Sequence, residues 1–321
     1  MQSIIAGKNE DGQRLDRILN RLLPKAGSGF IYKMLRKKNI VLNGKKADGK
    51  ERVYAGDEIR LFFSDDTFAA FSDSVNRECV TGRKTDDIAR MIIYEDADVA
   101  LINKPAGVLS QKAERNDISL NEMMLEYLAQ KGEIDDASVR TFKPAVCNRL
   151  DRNTSGIVAF GKSLPGVRAL SEMFRERTIG KYYLAVVKGT VAGESRLEGF
   201  LNKDEKTNKV TVRNDGSEED GDKIITEYRP LKTGSGCTLL EIKLVTGKTH
   251  QIRAHLASVG HPIAGDMKYG DAEFNHAVKS RYGVRTQLLT AYRICFPKEC
   301  PQLPALAGRE FIIEKPDSFF L

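Results

Sequence analysis

Cys147-Asn148-Arg149-Leu150-Asp151-Arg152-Asn153-Thr154-Ser155-Gly156 is the stretch on which the reading of this chain turns. It sets one carboxylate, Asp151, between two arginines, Arg149 and Arg152. Apolar Ala145 and Val146 precede it, and the strand-like run Ile157-Val158-Ala159-Phe160 follows. A polar, turn-prone decamer between two buried strands puts an acid at a strand end, where a rigid scaffold can present it to a ligand. Taken alone, an aspartate flanked by arginines reads as a loop cap or a surface ion pair, which contributes little. The company it keeps changes that reading.

Downstream, Lys181-Tyr182-Tyr183-Leu184-Ala185-Val186-Val187-Lys188-Gly189 has the composition of a strand. Period two puts Tyr183, Ala185 and Val187 on one face, with Lys181 where the strand begins. Further on come Val245-Thr246-Gly247-Lys248-Thr249-His250-Gln251-Ile252-Arg253-Ala254-His255-Leu256 and then Gly260-His261-Pro262-Ile263-Ala264-Gly265-Asp266. Thr249 is the expected N-cap of a short helix ended by Gly260, with Ile252, Leu256 and Val259 as its core stripe. Arg253 falls off that stripe, and a guanidinium held there can pair bidentately with a carboxylate. His250 and His255 are five positions apart, so on a helix they diverge, unlike the i, i+4 pair of a zinc hydrolase, and no metal site is expected.

These stretches resemble the signatures of the RluA/RluC/RluD superfamily of pseudouridine synthases: Arg-Leu-Asp-x-x-Thr-Ser-Gly at Arg149 to Gly156, Lys-x-Tyr-x-Ala-x-Val-x-Gly at Lys181 to Gly189, and Thr-Gly-x-Thr-His-Gln-Ile-Arg-x-His-Leu at Thr246 to Leu256. Lys104-Pro105-Ala106-Gly107 resembles the Lys-Pro-x-Gly run of the same enzymes. The resemblance implies isomerisation of uridine in RNA without a cofactor, on an α+β fold with a mixed, mostly antiparallel sheet. It implies that Asp151 is catalytic, that Tyr183 lies against the uracil and that Arg253 pairs with Asp151. It also implies substrate-binding roles for Asn148, Arg149, Thr154, Lys104, Lys181, His250 and Gln251. The chain departs from the pattern at Asn148 and Thr290, where histidine is usual, and at Lys248, where arginine is usual.

At 321 residues the chain exceeds one ordinary core, and one large domain plus a small one is expected. Of its net charge of +7, residues 1 to 62 carry all: fourteen Lys/Arg against seven Asp/Glu, while the remainder holds 37 of each. Such localisation suits a surface that meets phosphates. Within it, Leu15, Ile18, Leu19, Leu22 and Leu23 mark an amphipathic helix. Ser28 is the expected cap of a second helix with Ile31 and Leu35 inward, and Asn43-Gly44 is a hairpin turn between Ile40-Val41-Leu42 and Lys45-Lys46. This order resembles the S4 RNA-binding domain, with Arg14, Lys33, Arg36, Lys37, Lys45 and Lys46 as candidate RNA contacts. The expected division is 1–63 as the S4-like domain, 64–87 as a linker and 88–321 as the catalytic domain. An irregular, acidic-centred segment from Asn202 to Lys223, with Glu218-Glu219-Asp220 in its middle, reads as an exposed hairpin or insertion.

Five scattered cysteines fit reduced thiols, and neither a signal-peptide core nor a membrane-length apolar run occurs, so a cytoplasmic monomer is the expectation. No Gly-x-Gly-x-x-Gly or Walker-type run is present, so no nucleotide cofactor is expected. Large-subunit (23S) ribosomal RNA is the expected substrate. The alternatives are a transfer-RNA enzyme and a non-catalytic RNA-binding assembly factor of the same fold. A glycoside hydrolase would need a second acid beside Asp151.

Overall fold

The computed structural model describes residues 1–72, 85–114, 117–204, 209–213, 221–317 and 319. The N-terminal part runs β1 (Gln2–Ile5), β2 (Gln13–Arg14), α1 (Leu15–Leu22), α2 (Ser28–Arg36), β3 (Ile40–Leu42), β4 (Lys45–Lys46), β5 (Arg52–Val53), β6 (Glu58–Leu61) and α3 (Asp65–Phe71). Leu15, Ile18, Leu19 and Leu22 of α1 and Ile31 and Leu35 of α2 are all buried, which is the helical apolar stripe meeting the sheet β1-β6-β3-β4. Gly27, not Ser28, is the N-cap of α2, and no side chain caps it. Asn43 and Gly44 both have positive φ, 51° and 71°, as a two-residue hairpin turn requires.

The expected linker is shorter than 64–87. Ser64 accepts a hydrogen bond from the Thr67 N–H and opens α3, whose Phe68 buries in the N-terminal core. At the other end α4 (Thr85–Met91) sends Ile88 into the main core. Short aromatic and aliphatic anchors at each end therefore convert much of a polar segment into helix. The two parts also touch directly: Lys8 pairs with Asp98 at 2.8 Å, and the Leu164 N–H donates to Asn9 Oδ1 at 2.8 Å.

The larger part continues with β7 (Ile92–Glu95), β8 (Val99–Lys104), α5 (Leu120–Gln130), α6 (Asp136–Thr141), β9 (Ala145–Val146), β10 (Ser155–Gly161), α7 (Leu164–Arg175) and β11 (Gly180–Lys188). Then follow β12 (Ser195–Lys203), β13 (Val210–Arg213), β14 (Asp222–Gly234), β15 (Cys237–Leu244), α8 (Gln251–Ser258), α9 (Ala272–Tyr282), β16 (Leu289–Cys295) and β17 (Glu310–Ile312). One sheet of order β13-β12-β14-β15-β11-β16-β10-β8-β7 spans it, with β17 added to β16 and β9 to β10. Among the described pairs only β10 and β16 are parallel. The expected hairpin near Asn202 is β12–β13, while Glu218-Glu219-Asp220 lies outside the described residues.

Alternation along the strands divides the core in two. Ala100, Ile102, Val158, Phe160, Tyr183, Ala185 and Val187 pack with α5 and α8 on one face. Val99, Leu101, Ile157 and Ala159 pack with α7 on the other. Met123 and Met124 of α5 fill the first face.

The end of the Asp151 decamer is where the parallel pair forms, in the register Ser155 to Thr290 and Gly156 to Ala291. Gly156 has φ +117°, and a Cβ there would stand 2.2 Å from the Ala291 carbonyl oxygen. Only glycine admits both the dihedral and the approach. Gly156→Ala is expected to lower unfolding stability by more than about 2 kcal/mol, measured by urea denaturation. Gly193→Ala, where a Cβ meets nothing within 4 Å, is expected to leave the midpoint unchanged.

Candidate active site

Asp151 lies in the loop between β9 and β10, at the edge of a cleft of about 680 Å³. Among the described residues nine Lys or Arg side chains line this cleft, and Asp151 is its single carboxylate. Across it stands α8. Its expected N-cap, Thr249, gives way to His250, which sits in the left-handed region at φ 55° and leaves no side-chain cap. The Lys248 N–H instead donates to Gln251 Oε1 at 3.1 Å, so the turn is closed from inside the helix. Ile252 and Leu256 enter the core, while Val259 is only half-buried.

Arg253 is the meeting point. Its Nη1 donates to Asp151 Oδ2 at 2.8 Å, across 102 positions of sequence. Its Nε and Nη2 donate to Asp266 Oδ2 and Oδ1 at 2.7 and 2.8 Å. Asp266 therefore grips the guanidinium bidentately, and the one nitrogen it leaves points at Asp151. Burial opposes the charged forms of both partners, but their mutual hydrogen bonds and attraction outweigh it. Asp266 is held below the ordinary carboxylate range and Arg253 above its ordinary value. The N–H groups of Lys268 and Tyr269 also donate to Asp266 Oδ1, which fixes the following loop.

His250 completes this side. Its Nδ1 lies 2.9 Å from the Tyr269 hydroxyl and its Nε2 lies 3.9 Å from Asp151 Oδ2. Burial lowers the His250 pKa; the Asp151 charge works against this and Arg253 with it. Tyr183, 6% exposed, lines the cleft from β11, and burial together with the Asp151 charge holds its hydroxyl above the ordinary value, so it stays protonated.

A family model described as RNA pseudouridylate synthase matches residues 98–258, half of the chain. The ribosomal large subunit pseudouridine synthase C of Rickettsia bellii is 34% identical over 277 residues, covering 84% of this chain and 86% of the relative. The chain belongs to the RNA pseudouridylate synthase family. The synthase C of Vibrio cholerae is 29% identical over 300 residues (92% and 89% covered), and the synthase D of Neisseria meningitidis serogroup A is 30% identical over 295 (89% and 72%). Among solved structures, human RNA pseudouridylate synthase domain containing 4 shares the fold, with a TM-score of 0.56 at 20% identity over 73% of this chain and 92% of that one.

In this pseudouridylate synthase the cleft gathers Asp151, Arg149, Lys181, Tyr183, His250 and Arg253. Asn148, Thr154 and Gln251 also line the cleft, and they and Lys104 are in addition bonded to the scaffold. Lys104 is fully buried and its ammonium donates to the carbonyls of Pro105, Val108 and Arg152 at 3.1, 2.7 and 3.1 Å, which ties the segment after β8 to the residue that follows Asp151. Burial pushes Lys104 down to about 8, against a smaller upward pull from Asp151. Gln251, 2% exposed, accepts from Thr246 and Lys248 and donates to the Ile225 carbonyl and the Thr226 hydroxyl. Thr154 accepts from Gln287 Nε2 at 3.0 Å, and Asn148 Oδ1 accepts from the Ala159 N–H at 2.7 Å. Each of these side chains makes at least one hydrogen bond to backbone or to a buried side chain.

Two contributors went without a role in the sequence. Ser110 is buried and bridges Leu150, donating to its carbonyl at 3.0 Å and accepting from its N–H at 2.9 Å. Asp266 lies beyond the matched span, and its only sequence signal is a carboxylate between Gly265 and an exposed Met267 in an otherwise apolar run. Asp266→Ala is expected to cost about 3–5 kcal/mol, because a buried guanidinium loses its bidentate partner. Chemical denaturation monitored by circular dichroism measures this.

In the N-terminal part, Lys33, Arg36, Lys37, Lys45 and Lys46 are exposed. Arg14 differs: its guanidinium is held by Asp16, with Nη2 to Oδ2 at 2.6 Å, so it orders the start of α1.

Proposed function

We propose that this synthase isomerises uridines of large-subunit ribosomal RNA to pseudouridine in the cytoplasm, with Asp151 as the catalytic carboxylate. The observation that carries the reading is the lone carboxylate of a basic cleft, aimed by a guanidinium that a second, buried carboxylate holds still. The relatives at 29–34% identity that cover most of this chain are named for the ribosomal large subunit, which supports that substrate.

The reaction breaks the glycosidic bond, turns the freed uracil and joins its carbon to the sugar. The target nucleotide must first leave its stack, because neither the sugar carbon nor the uracil edge is reachable inside a helix. A carboxylate then either attacks the anomeric carbon or removes the 2′ proton, and both routes need it charged and in one rotamer. Arg253 supplies the positioning, and Tyr183 supplies a flat apolar face for the uracil with a hydroxyl at hand for proton transfer. The basic lining receives the phosphates that accompany the everted nucleotide.

Asp151→Asn is expected to abolish pseudouridine formation, read by carbodiimide modification and primer extension, while RNA affinity changes less than about threefold. Undiminished isomerisation would overturn the assignment. The N-terminal part is proposed to act as an S4-like RNA anchor through Lys33, Arg36, Lys37, Lys45 and Lys46. Replacing both Lys45 and Lys46 by Glu is then expected to weaken binding and to flatten the dependence of log affinity on log salt by at least about 1. An unchanged slope in a filter-binding titration would remove these two lysines from the interface.

A further inference from the structure

The nine basic side chains of the cleft are not equivalent. Arg253 is held by Asp151 and Asp266, Lys248 pairs with Asp222 at 2.6 Å, Arg152 faces Asp117 at 3.6 Å, and Arg175 faces Glu172 at 3.5 Å. Lys181 is different. It is half-buried, and among the described residues its ammonium has neither a hydrogen bond nor a carboxylate. Its charged neighbour is another cation, Arg177, which is likewise without an ion-pair partner among the described residues. Burial, and then the charge of Arg177, pull the Lys181 pKa below its ordinary value.

The surroundings hold this pair in place. Lys181 opens β11, whose pairing with β16 fixes its direction into the cleft. Arg177 closes the turn after α7 in the left-handed conformation, φ 59°, which a side chain with a Cβ adopts only under local constraint. On the far side the backbone of Gly247 comes so near that a Cβ there would stand 3.2 Å from Lys181 Nζ. Arg177 is exposed and Lys181 half-buried, so the ammonium is the cation that water serves less, and an anion arriving in the cleft would compensate it while meeting the neighbouring guanidinium. A neutral carbonyl would satisfy a hydrogen bond but would leave both charges uncompensated.

We propose that Lys181 and Arg177 form a phosphate-binding site for a phosphodiester next to the everted nucleotide. Lys181 lies two residues along β11 from Tyr183, about 6.6 Å at strand rise. That separation is the scale of one nucleotide, so a base resting on Tyr183 brings a neighbouring phosphate within reach. The two non-bridging oxygens of a phosphodiester match the two cations, one accepting from the ammonium and one from the guanidinium. The proposal rests on the reading of Asp151 and Tyr183 as the nucleoside site.

The test compares full-length protein with Lys181→Met, Lys181→Arg and Arg177→Asn in binding to a large-subunit ribosomal RNA transcript over a range of salt. Asparagine tolerates the left-handed backbone at position 177, so this variant keeps the turn. Lys181→Met and Arg177→Asn are each expected to weaken binding about tenfold and to reduce the slope of log affinity against log salt, the two substitutions together by about 0.7, the single-strand value for one phosphate contact. Lys181→Arg is expected to keep the wild-type slope. Unchanged slopes in both charge-removing variants, with wild-type circular dichroism, would overturn the phosphate site even if the transcript is pseudouridylated. Weaker binding at an unchanged slope would also overturn it, since that marks a neutral contact to the base. Reduced slopes without any pseudouridine formed by the wild type would leave the phosphate site standing and remove the isomerase reading.

Discussion

One guanidinium shared by two carboxylates is the constraint around which the rest of the larger part of the chain is arranged. An ion pair taken out of water is favourable only when its geometry is excellent and its remaining donors are used. Arg253 meets both conditions, with Nε and Nη2 on Asp266 and Nη1 on Asp151. The division of labour follows from the planar fork of arginine. Two parallel bonds to Asp266, whose side chain is fully buried, set the plane, and the third nitrogen then has a single direction in which to point. A lysine there would hold a charge near Asp151 but would not transmit an orientation.

Asp151 itself needs a loop that does not give. Lys104 draws in the carbonyls of Pro105, Val108 and Arg152, and Ser110 clamps both backbone groups of Leu150, the residue before the acid. On the other flank, Thr154 bonds Gln287, Ser155 bonds the Thr290 hydroxyl at 2.6 Å, and Gly156 lets β16 approach. Asn148, Thr154 and Ser155 of the decamer are therefore directed inward. Buried polar groups with every partner supplied are rigid, because each displacement leaves a donor or acceptor unmet in a medium that cannot replace water. The loop presents Asp151 outward because nearly everything around it is tied down.

This explains what the sequence disclosed and what it withheld. Periodicity located α1, α2 and β11, because apolar faces repeat at the spacing of the element that buries them, while β14 and β15 were not read as strands. The apposition of Arg253 with Asp151 was reached by resemblance, since a contact across 102 positions leaves no local trace. Lys104, Gln251 and Thr154 were expected to face substrate, and a polar residue in a motif looks the same whether it serves ligand, scaffold or both. The bonds to the Arg152 carbonyl, the Ile225 carbonyl and Gln287 show the scaffold share, which no local pattern discloses, while Gln251 and Thr154 line the cleft as well. The helical ends of the supposed linker were obscured for a related reason. Phe68 and Phe71 at one end and Ile88 at the other are isolated anchors in polar surroundings, too few to establish a period.

The two departures from the expected histidines can be weighed on the same footing. At position 148 the fold asks for an acceptor facing the Ala159 N–H, and Asn148 Oδ1 provides it at 2.7 Å. At position 290 it asks for a small polar group against Ser155 on the one parallel strand pair, and the Thr290 hydroxyl provides that. Both side chains bond to β10 or to its partner strand and neither bonds Asp151, so the exchanges act on how the loop is fastened and not on the acid. A non-catalytic reading of the fold would draw on these positions only if the fastening had failed. Instead Asp151 remains within 2.8 Å of Arg253, with Tyr183 lining the same cleft, and the chemistry keeps its geometry while the residues that secure it have changed.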